Sequence, residues 1–206
     1  MQPNPGQIII LNGTPRSGKS SIAAVIQERF EGLWMNMGVD HFMQMTPTQY
    51  QPGIGLRPGG ERPDLEGVIP HLYQAMYVSI AAHSRLGLNV IVDVGHHDCY
   101  SRPLHILPHC ARLVQGLPVL FVGIRCPIEI IMQRRLATGW HTSSTDASSI
   151  PRPVALWQQE VHIPGIYDLE LDSSTFDPQT CAMLIQQHLK SGPPATAFVQ
   201  LAALTV

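Results

Sequence analysis

The residues that most constrain the fold are G-T-P-R-S-G-K-S, residues 13–20, which match the phosphate-loop pattern G-x-x-x-x-G-K-[ST]. A continuous β-branched run, residues 7–12, precedes the loop, and apolar residues at helical spacing follow it. Two glycines let the loop turn tightly, so that backbone N–H groups and the positive end of the following helix face one cavity. The sequence therefore predicts a polyphosphate site early in the chain.

Every residue of this loop is a candidate for nucleotide binding, namely Gly13, Thr14, Pro15, Arg16, Ser17, Gly18, Lys19, Ser20 and Ser21. We expect Lys19 to reach the β- and γ-phosphate oxygens, and the Ser20 hydroxyl to complete the shell of a magnesium ion. A plain glycine turn with a surface lysine is the alternative. The strand before the loop and the amphipathic helix after it make that alternative the weaker one.

Composition limits the classes of partner. The chain has 206 residues, 44% of them apolar and 14% charged, with a net charge of −2, so we expect one globular domain and no basic surface for nucleic acid. A small-molecule partner is therefore the expectation. Because no apolar stretch reaches the about 18 residues of a membrane span and the N-terminus lacks a basic signal region, we also expect no membrane partner and a cytoplasmic location.

Strand and helix patterns alternate along the chain, which predicts an α/β fold with a parallel sheet. After the loop helix, a second short strand is expected to end at Asp40, and a segment rich in Gly, Pro and Gln, residues 46–67, follows. Further strands are expected at 88–94, 118–126 and 167–174, and helices at 68–87, 101–115, 127–137 and 177–190. The polar segment 138–153 is interpreted as a cover that closes over a nucleotide.

Two aspartates are expected at the carboxyl ends of strands, where ligands bind in such folds. Asp40 is placed to take a proton from an attacking hydroxyl, and Asp93 to hold the water shell of a magnesium ion. For each of them the alternative is a capping aspartate at the start of the next helix. His97 and Asp98 follow the same strand as Asp93, so we consider them candidate acceptor contacts.

Four segments resemble the chloramphenicol phosphotransferase family of small P-loop kinases: "IIILNGTPRSGKSSI", "MGVDHFMQMTP", "NVIVDVGHHD" and "VLFVGIRCPIEIIMQRR". A weaker match, "VHIPGIYDLELDSS", follows in the same order. The resemblance implies a P-loop NTPase fold of three α/β/α layers with a five-stranded parallel sheet, as in nucleotide and shikimate kinases. It also implies ATP as phosphate donor, Mg²⁺, and transfer of the γ-phosphate to a small-molecule hydroxyl, as on an antibiotic such as chloramphenicol.

The resemblance also assigns catalytic roles. The family's catalytic aspartate, in its "GVD" motif, falls on Asp40, its strand-three aspartate on Asp93, and the first arginine of its lid helix on Arg134, with Arg135 beside it. The chain departs from the family where Arg-Gly-Asp-Arg is typical of the lid and Thr138, Gly139, Trp140 and His141 stand instead. Lid arginines neutralise the transferring phosphoryl group. We expect Arg134, Arg135 or Arg152 to compensate.

These observations predict a kinase domain over residues 1–192, with a lid at 134–153 and an acceptor segment at 41–67. The apolar tail, 193–206, either packs on the domain or joins subunits of a homo-oligomer. The predicted activity is ATP-dependent O-phosphotransfer, with Lys19, Asp40, Arg134 and Arg135 as catalytic residues. Alternatives are a kinase of a sugar nucleotide, nucleoside or shikimate-like metabolite, and a nucleotide hydrolase or regulatory ATP-binding module.

Overall fold

A computed structural model describes residues 4–138 and 150–205. Five parallel strands form one sheet in the order β2-β3-β1-β4-β5. They are β1 Ile8–Asn12, β2 Trp34–Asn36, β3 Asn89–Val94, β4 Val119–Arg125 and β5 Leu169–Asp172. The sheet confirms the fold class expected from the sequence. Within the described ranges, no helix has the length and apolar character that crossing a membrane would require.

Helices cover both faces of the sheet. Helices α1 and α8 pack on one face, and α4, α5 and α9 on the other, which gives the three layers. In chain order the helices of the described part are α1 Lys19–Arg29, α2 Val39–Met45, α3 Pro63–Glu66, α4 Ile69–Arg85, α5 Ile106–Leu113, α6 Ile128–Ala137, α7 Arg152–Glu160, α8 Pro178–Ser191 and α9 Ala197–Ala202. The segment 46–67 also contains two 3₁₀ turns, Thr48–Tyr50 and Gly53–Gly55.

The central strand β1 explains the continuous apolar run in the sequence. Ile8 and Ile10 pack in the core on the α4 side, while Ile9 and Leu11 pack in the core on the α1 side. A strand covered on both faces needs apolar residues at every position. Because β1 lies in the middle of the sheet, the loop that follows it lies at the centre of the sheet's carboxyl edge.

The prediction that Asp40 ends the second strand was wrong. Strand β2 stops at Asn36, and Asp40 lies in the first turn of α2. The Met37 N–H still donates to the Ile91 carbonyl, after which Gly38 precedes the first residue of the helix. Asp40 is therefore presented at the carboxyl edge by a helix and not by a strand.

Helix α7 was not predicted, because its first residues were included in the lid segment 138–153. The helix buries Val154 and Trp157, and the spacing of three residues between them is the helical signal that was present in the sequence. The remaining part of the predicted lid, residues 139–149, lies outside the described residues.

The C-terminal tail packs on the domain. Helix α9 buries Phe198 and Leu201 against the core on the α4 and α5 side. The Asp168 carboxylate accepts hydrogen bonds from two backbone N–H groups at the start of α9, and Arg112 donates to two carbonyls at its end. The tail is thus fastened at both ends to the sheet domain.

Candidate active site

The phosphate loop holds its lysine in a buried position. Lys19 is 9% exposed, and its Nζ donates to the carbonyls of Gly13 at 2.8 Å and Thr14 at 2.9 Å. Burial lowers the pKa of Lys19 to about 8, and the negative charges of Asp93 and Asp40 oppose that shift. Both aspartates predicted for the site therefore lie close enough to act on the charge of the loop lysine.

Ser20 and Asp93 meet across two elements. The Ser20 Oγ, on α1, donates to Asp93 Oδ2, on β3, at 2.6 Å. A hydroxyl and a carboxylate are hard oxygen donors of the kind that Mg²⁺ prefers alongside phosphate and water. In the described ranges, no group of three or more His, Cys, Asp or Glu side chains is arranged to hold a metal ion, so a magnesium ion here would take its other ligands from phosphate and water.

Arg134 and Arg135 differ in their surroundings. Arg134 Nη1 donates to the Arg16 carbonyl at 3.2 Å, and its Nη2 donates to the Ser173 carbonyl at 2.6 Å. Its guanidinium therefore fastens α6 to the phosphate loop and to the loop after β5. Burial lowers the pKa of Arg135, and repulsion from Arg57 and Arg16 lowers it further, so the charges of these three arginines act on one another.

One cavity of about 1000 Å³ joins these residues. Its wall includes every residue predicted to bind nucleotide, to hold magnesium or to act in catalysis except Ser17, which is buried. Arg152 begins α7, and its side chain is not on the wall as described. The predicted residues that line the cavity are Gly13, Thr14, Pro15, Arg16, Gly18, Lys19, Ser20, Ser21, Asp40, Asp93, Arg134 and Arg135.

Comparison with known proteins decides the family. Residues 6–190 match the sequence model described as "Chloramphenicol phosphotransferase-like protein". The chain belongs to the chloramphenicol phosphotransferase-like family. A Mycobacterium tuberculosis relative named "Putative O-phosphotransferase Rv2636" is 26% identical over 215 aligned residues, which cover 95% of this chain and 88% of the relative.

Solved structures show the same fold. Shikimate kinase from Acinetobacter baumannii, in complex with shikimate, superposes with a TM-score of 0.60 at 11% identity, covering 91% of this chain and 94% of that one. The Mycobacterium tuberculosis APS kinase CysC, in complex with AMPPNP and APS, gives a TM-score of 0.57 at 16% identity, covering 92% and 100%. Family and fold together establish a P-loop kinase with a hydroxyl acceptor.

The kinase also has site residues that the sequence analysis missed. Tyr73 on α4 and Trp157 on α7 line the same cavity as the phosphate loop. Gln158, beside Trp157, accepts a hydrogen bond from Thr14 Oγ1 at 2.7 Å and donates to the Cys126 carbonyl at 2.8 Å. The glutamine ties α7 to the phosphate loop. The helical spacing of Val154 and Trp157 was the signal that could have indicated α7 and its site residues.

The Asn12 side chain, at the end of β1, makes hydrogen bonds to three other segments of the chain. Its Oδ1 accepts from the His96 N–H at 2.7 Å, and its Nδ2 donates to the Val161 carbonyl at 2.7 Å and to Tyr167 Oη at 2.8 Å. The side chain is 1% exposed, so each bond replaces one that water would otherwise make. These three bonds therefore fix the position of Asn12, the residue directly before Gly13, where the loop of the kinase begins.

His97 and Asp98 lie elsewhere than we expected. His97 is buried, and its Nε2 donates to the Leu56 carbonyl at 3.0 Å, while burial lowers the pKa of its imidazole. Asp98 Oδ1 accepts from the backbone N–H groups of Leu104 and His105. Neither residue is on the described wall of the cavity. His97 therefore holds the backbone of the acceptor segment at Leu56. Asp98 holds the backbone just before α5.

Proposed function

We propose that this kinase transfers the γ-phosphoryl group of ATP to a hydroxyl of a small molecule, with Asp40 as general base. The observation that carries the proposal is the single cavity that both the phosphate loop and Asp40 line. The charge of Asp40 also acts on Lys19, which supports a base close to the lysine that we propose contacts the phosphates.

The residues divide the reaction between them. The Asp40 carboxylate accepts the proton of the acceptor hydroxyl, the acceptor oxygen bonds to the γ-phosphorus, and the bond from that phosphorus to the β–γ bridging oxygen breaks, releasing ADP. Lys19 and the loop N–H groups hold the phosphates. Ser20 and Asp93 would hold Mg²⁺, which when bound withdraws charge from the phosphate oxygens.

Arg135 and Arg134 complete the donor side in this proposal. Arg135 neutralises charge on the transferring group, because its guanidinium lies in the cationic part of the cavity. Arg134 contributes by holding α6 against the phosphate loop through its bond to the Arg16 carbonyl.

Part of the cavity wall is apolar. This part includes one tyrosine ring, one indole and several aliphatic side chains, those of Tyr73, Trp157, Val39, Met43, Ile54 and Val154. Such a wall favours an acceptor with an apolar or aromatic body that carries a hydroxyl. We therefore favour a chloramphenicol-like antibiotic over a sugar nucleotide or a shikimate-like metabolite, because its aromatic body would contact these apolar side chains.

A screen of hydroxylated antibiotics and metabolites with ATP and MgCl₂ tests the proposal. We expect at least one acceptor to gain the mass of one phosphoryl group in the wild type, and no gain in Asp40→Asn. Steady ATP hydrolysis without an acceptor, at the same rate in Asp40→Asn, would contradict the proposal and favour a nucleotide hydrolase.

A further inference from the structure

Three arginines from separate elements line the same cavity: Arg16 in the phosphate loop, Arg57 in the acceptor segment and Arg135 in α6. Their charges act on one another, since Arg57 and Arg16 both lower the pKa of Arg135 in addition to the effect of burial. Like charges directed at one region of a cavity raise the local concentration of anions. The part of the wall that these arginines line therefore favours an anionic group.

The backbone around Arg57 is held at fixed points. The Leu56 side chain is 2% exposed, and its carbonyl accepts the bond from His97 Nε2 at 3.0 Å. Two residues after Arg57, the Gly59 N–H donates to the Cys99 carbonyl at 2.7 Å. The segment 56–59 is therefore clamped onto the loop after β3, and the Arg57 side chain starts from a defined position at the cavity.

Arg57 is paired with Glu61, which is not among the described residues of the cavity wall. The Glu61 carboxylate accepts the Arg57 backbone N–H at 3.3 Å and lies 3.7 Å from Arg57 Nε. Both side chains are more than a third exposed, so the pair is weak. An arginine in a weak exposed pair can exchange that partner for a phosphate at little cost.

The anion could belong to the nucleotide or to the acceptor, and the placement of the cluster favours the nucleotide. Arg135 follows Arg134, whose guanidinium is bonded to the Arg16 carbonyl of the phosphate loop. The centre of the cationic cluster therefore lies beside the loop that binds phosphates. Two of the three arginines, Arg16 and Arg135, therefore belong to or adjoin elements that contact the phosphate loop, whereas only Arg57 comes from the acceptor segment.

We propose that Arg57 is a further catalytic residue, which contacts the terminal phosphoryl group of the nucleotide from the acceptor side. The guanidinium donates N–H bonds to non-bridging oxygens of that group and exchanges no proton with it. Arg57 thereby supplies, from the acceptor segment, a positive charge that the family's Arg-Gly-Asp-Arg lid motif supplies and residues 138–141 of this sequence do not. The inference rests on the proposed function, in which a nucleoside triphosphate is the donor.

Calorimetric titration of the full chain with AMPPNP and with ADP, both with MgCl₂, tests this inference. For Arg57→Gln we expect the Kd of AMPPNP to rise about ten- to a hundredfold, as for loss of charge-assisted hydrogen bonds, and the Kd of ADP to change less than about twofold. Arg57→Lys should fall between, because lysine keeps the charge but not the bidentate geometry.

Arg62→Gln is the matched control. Arg62 is an arginine of the same segment, it pairs with Asp64 at 2.7 Å, and it is not among the described residues of the cavity wall. We expect its Kd values for both nucleotides to equal those of the wild type.

Equal losses for AMPPNP and ADP in Arg57→Gln, or no loss for AMPPNP, would overturn the inference. A loss confined to kcat/KM for anionic acceptors would also overturn it and assign Arg57 to the acceptor. Failure of the proposed function would be a separate result. Phosphoryl transfer that persists in Asp40→Asn would contradict the role of Asp40 as general base, but it would not change the ratio of the AMPPNP and ADP affinities.

Discussion

The carboxylate of Asp93 occupies the space that a side chain at position 38 would need. A Cβ at Gly38 would overlap with Asp93 Oδ1, so the glycine of the "GVD" segment lets β3 and the start of α2 approach closely. The sequence predicted both Asp40 and Asp93 for the site. It did not predict the contact of Gly38 with Asp93, because packing between residues on separate elements leaves no local pattern.

Gly38→Ala should therefore disturb the proposed magnesium site. We expect Asp93 to shift away from Ser20, the Mg²⁺-dependent part of AMPPNP binding to weaken about tenfold, and the free energy of unfolding to fall by about 1–3 kcal/mol, as for overpacking. Titration with and without MgCl₂ and denaturant unfolding measure the two effects. Gly67→Ala is the control, since nothing lies within 4 Å of a Cβ there. Wild-type binding in Gly38→Ala would show that Asp93 tolerates displacement.

At the level of elements, local patterns predicted β1, the phosphate loop and α1, because each is specified by adjacent residues. Helix α7 was missed because its first residues, Arg152 and Pro153, follow a long polar segment that suggested a lid. The position of Arg57 on the cavity wall was missed for a different reason. Only the tertiary clamps on Leu56 and Gly59 bring that residue to the cavity, and no sequence spacing encodes them.

Gln158→Ala tests the connection between α7 and the phosphate loop. The substitution removes the bonds to Thr14 and Cys126, so we expect a loss of about 1–3 kcal/mol in the free energy of unfolding and a several-fold weaker ADP affinity. Gln159→Ala, at the neighbouring exposed position, should change stability by less than about 0.5 kcal/mol. Identical behaviour of the two variants would contradict the connection. Urea unfolding and calorimetric titration with ADP measure the difference.

Across the whole molecule, aromatic contacts and hydrogen bonds run from the tail to the site. Phe198 on α9 packs against Phe121 with ring centroids 5.0 Å apart and stacks on Tyr77 at 6.4 Å. The Tyr77 hydroxyl is 2.8 Å from His96 Nε2, and the His96 N–H donates to Asn12, the residue before the phosphate loop. The tail is therefore part of the core that positions the loop.

Phe198→Ala should destabilise the domain. Loss of a buried phenyl ring costs about 3–5 kcal/mol, whereas Val199→Ala, at a position 63% exposed, should cost less than about 0.5 kcal/mol. The two free energies of unfolding, measured by denaturant titration, check this difference. A small loss in Phe198→Ala would mean that α9 contributes little to the core.

The comparison of Asp40→Asn with the wild type tests the central claim most directly. Phosphoryl transfer to an acceptor that the screen identifies is measured by mass spectrometry, and AMPPNP binding is measured by calorimetry. The account predicts that kcat for transfer falls about 10²- to 10⁴-fold, the usual contribution of a general base, while the Kd of AMPPNP changes less than about threefold. Transfer at the wild-type rate in Asp40→Asn would contradict the account.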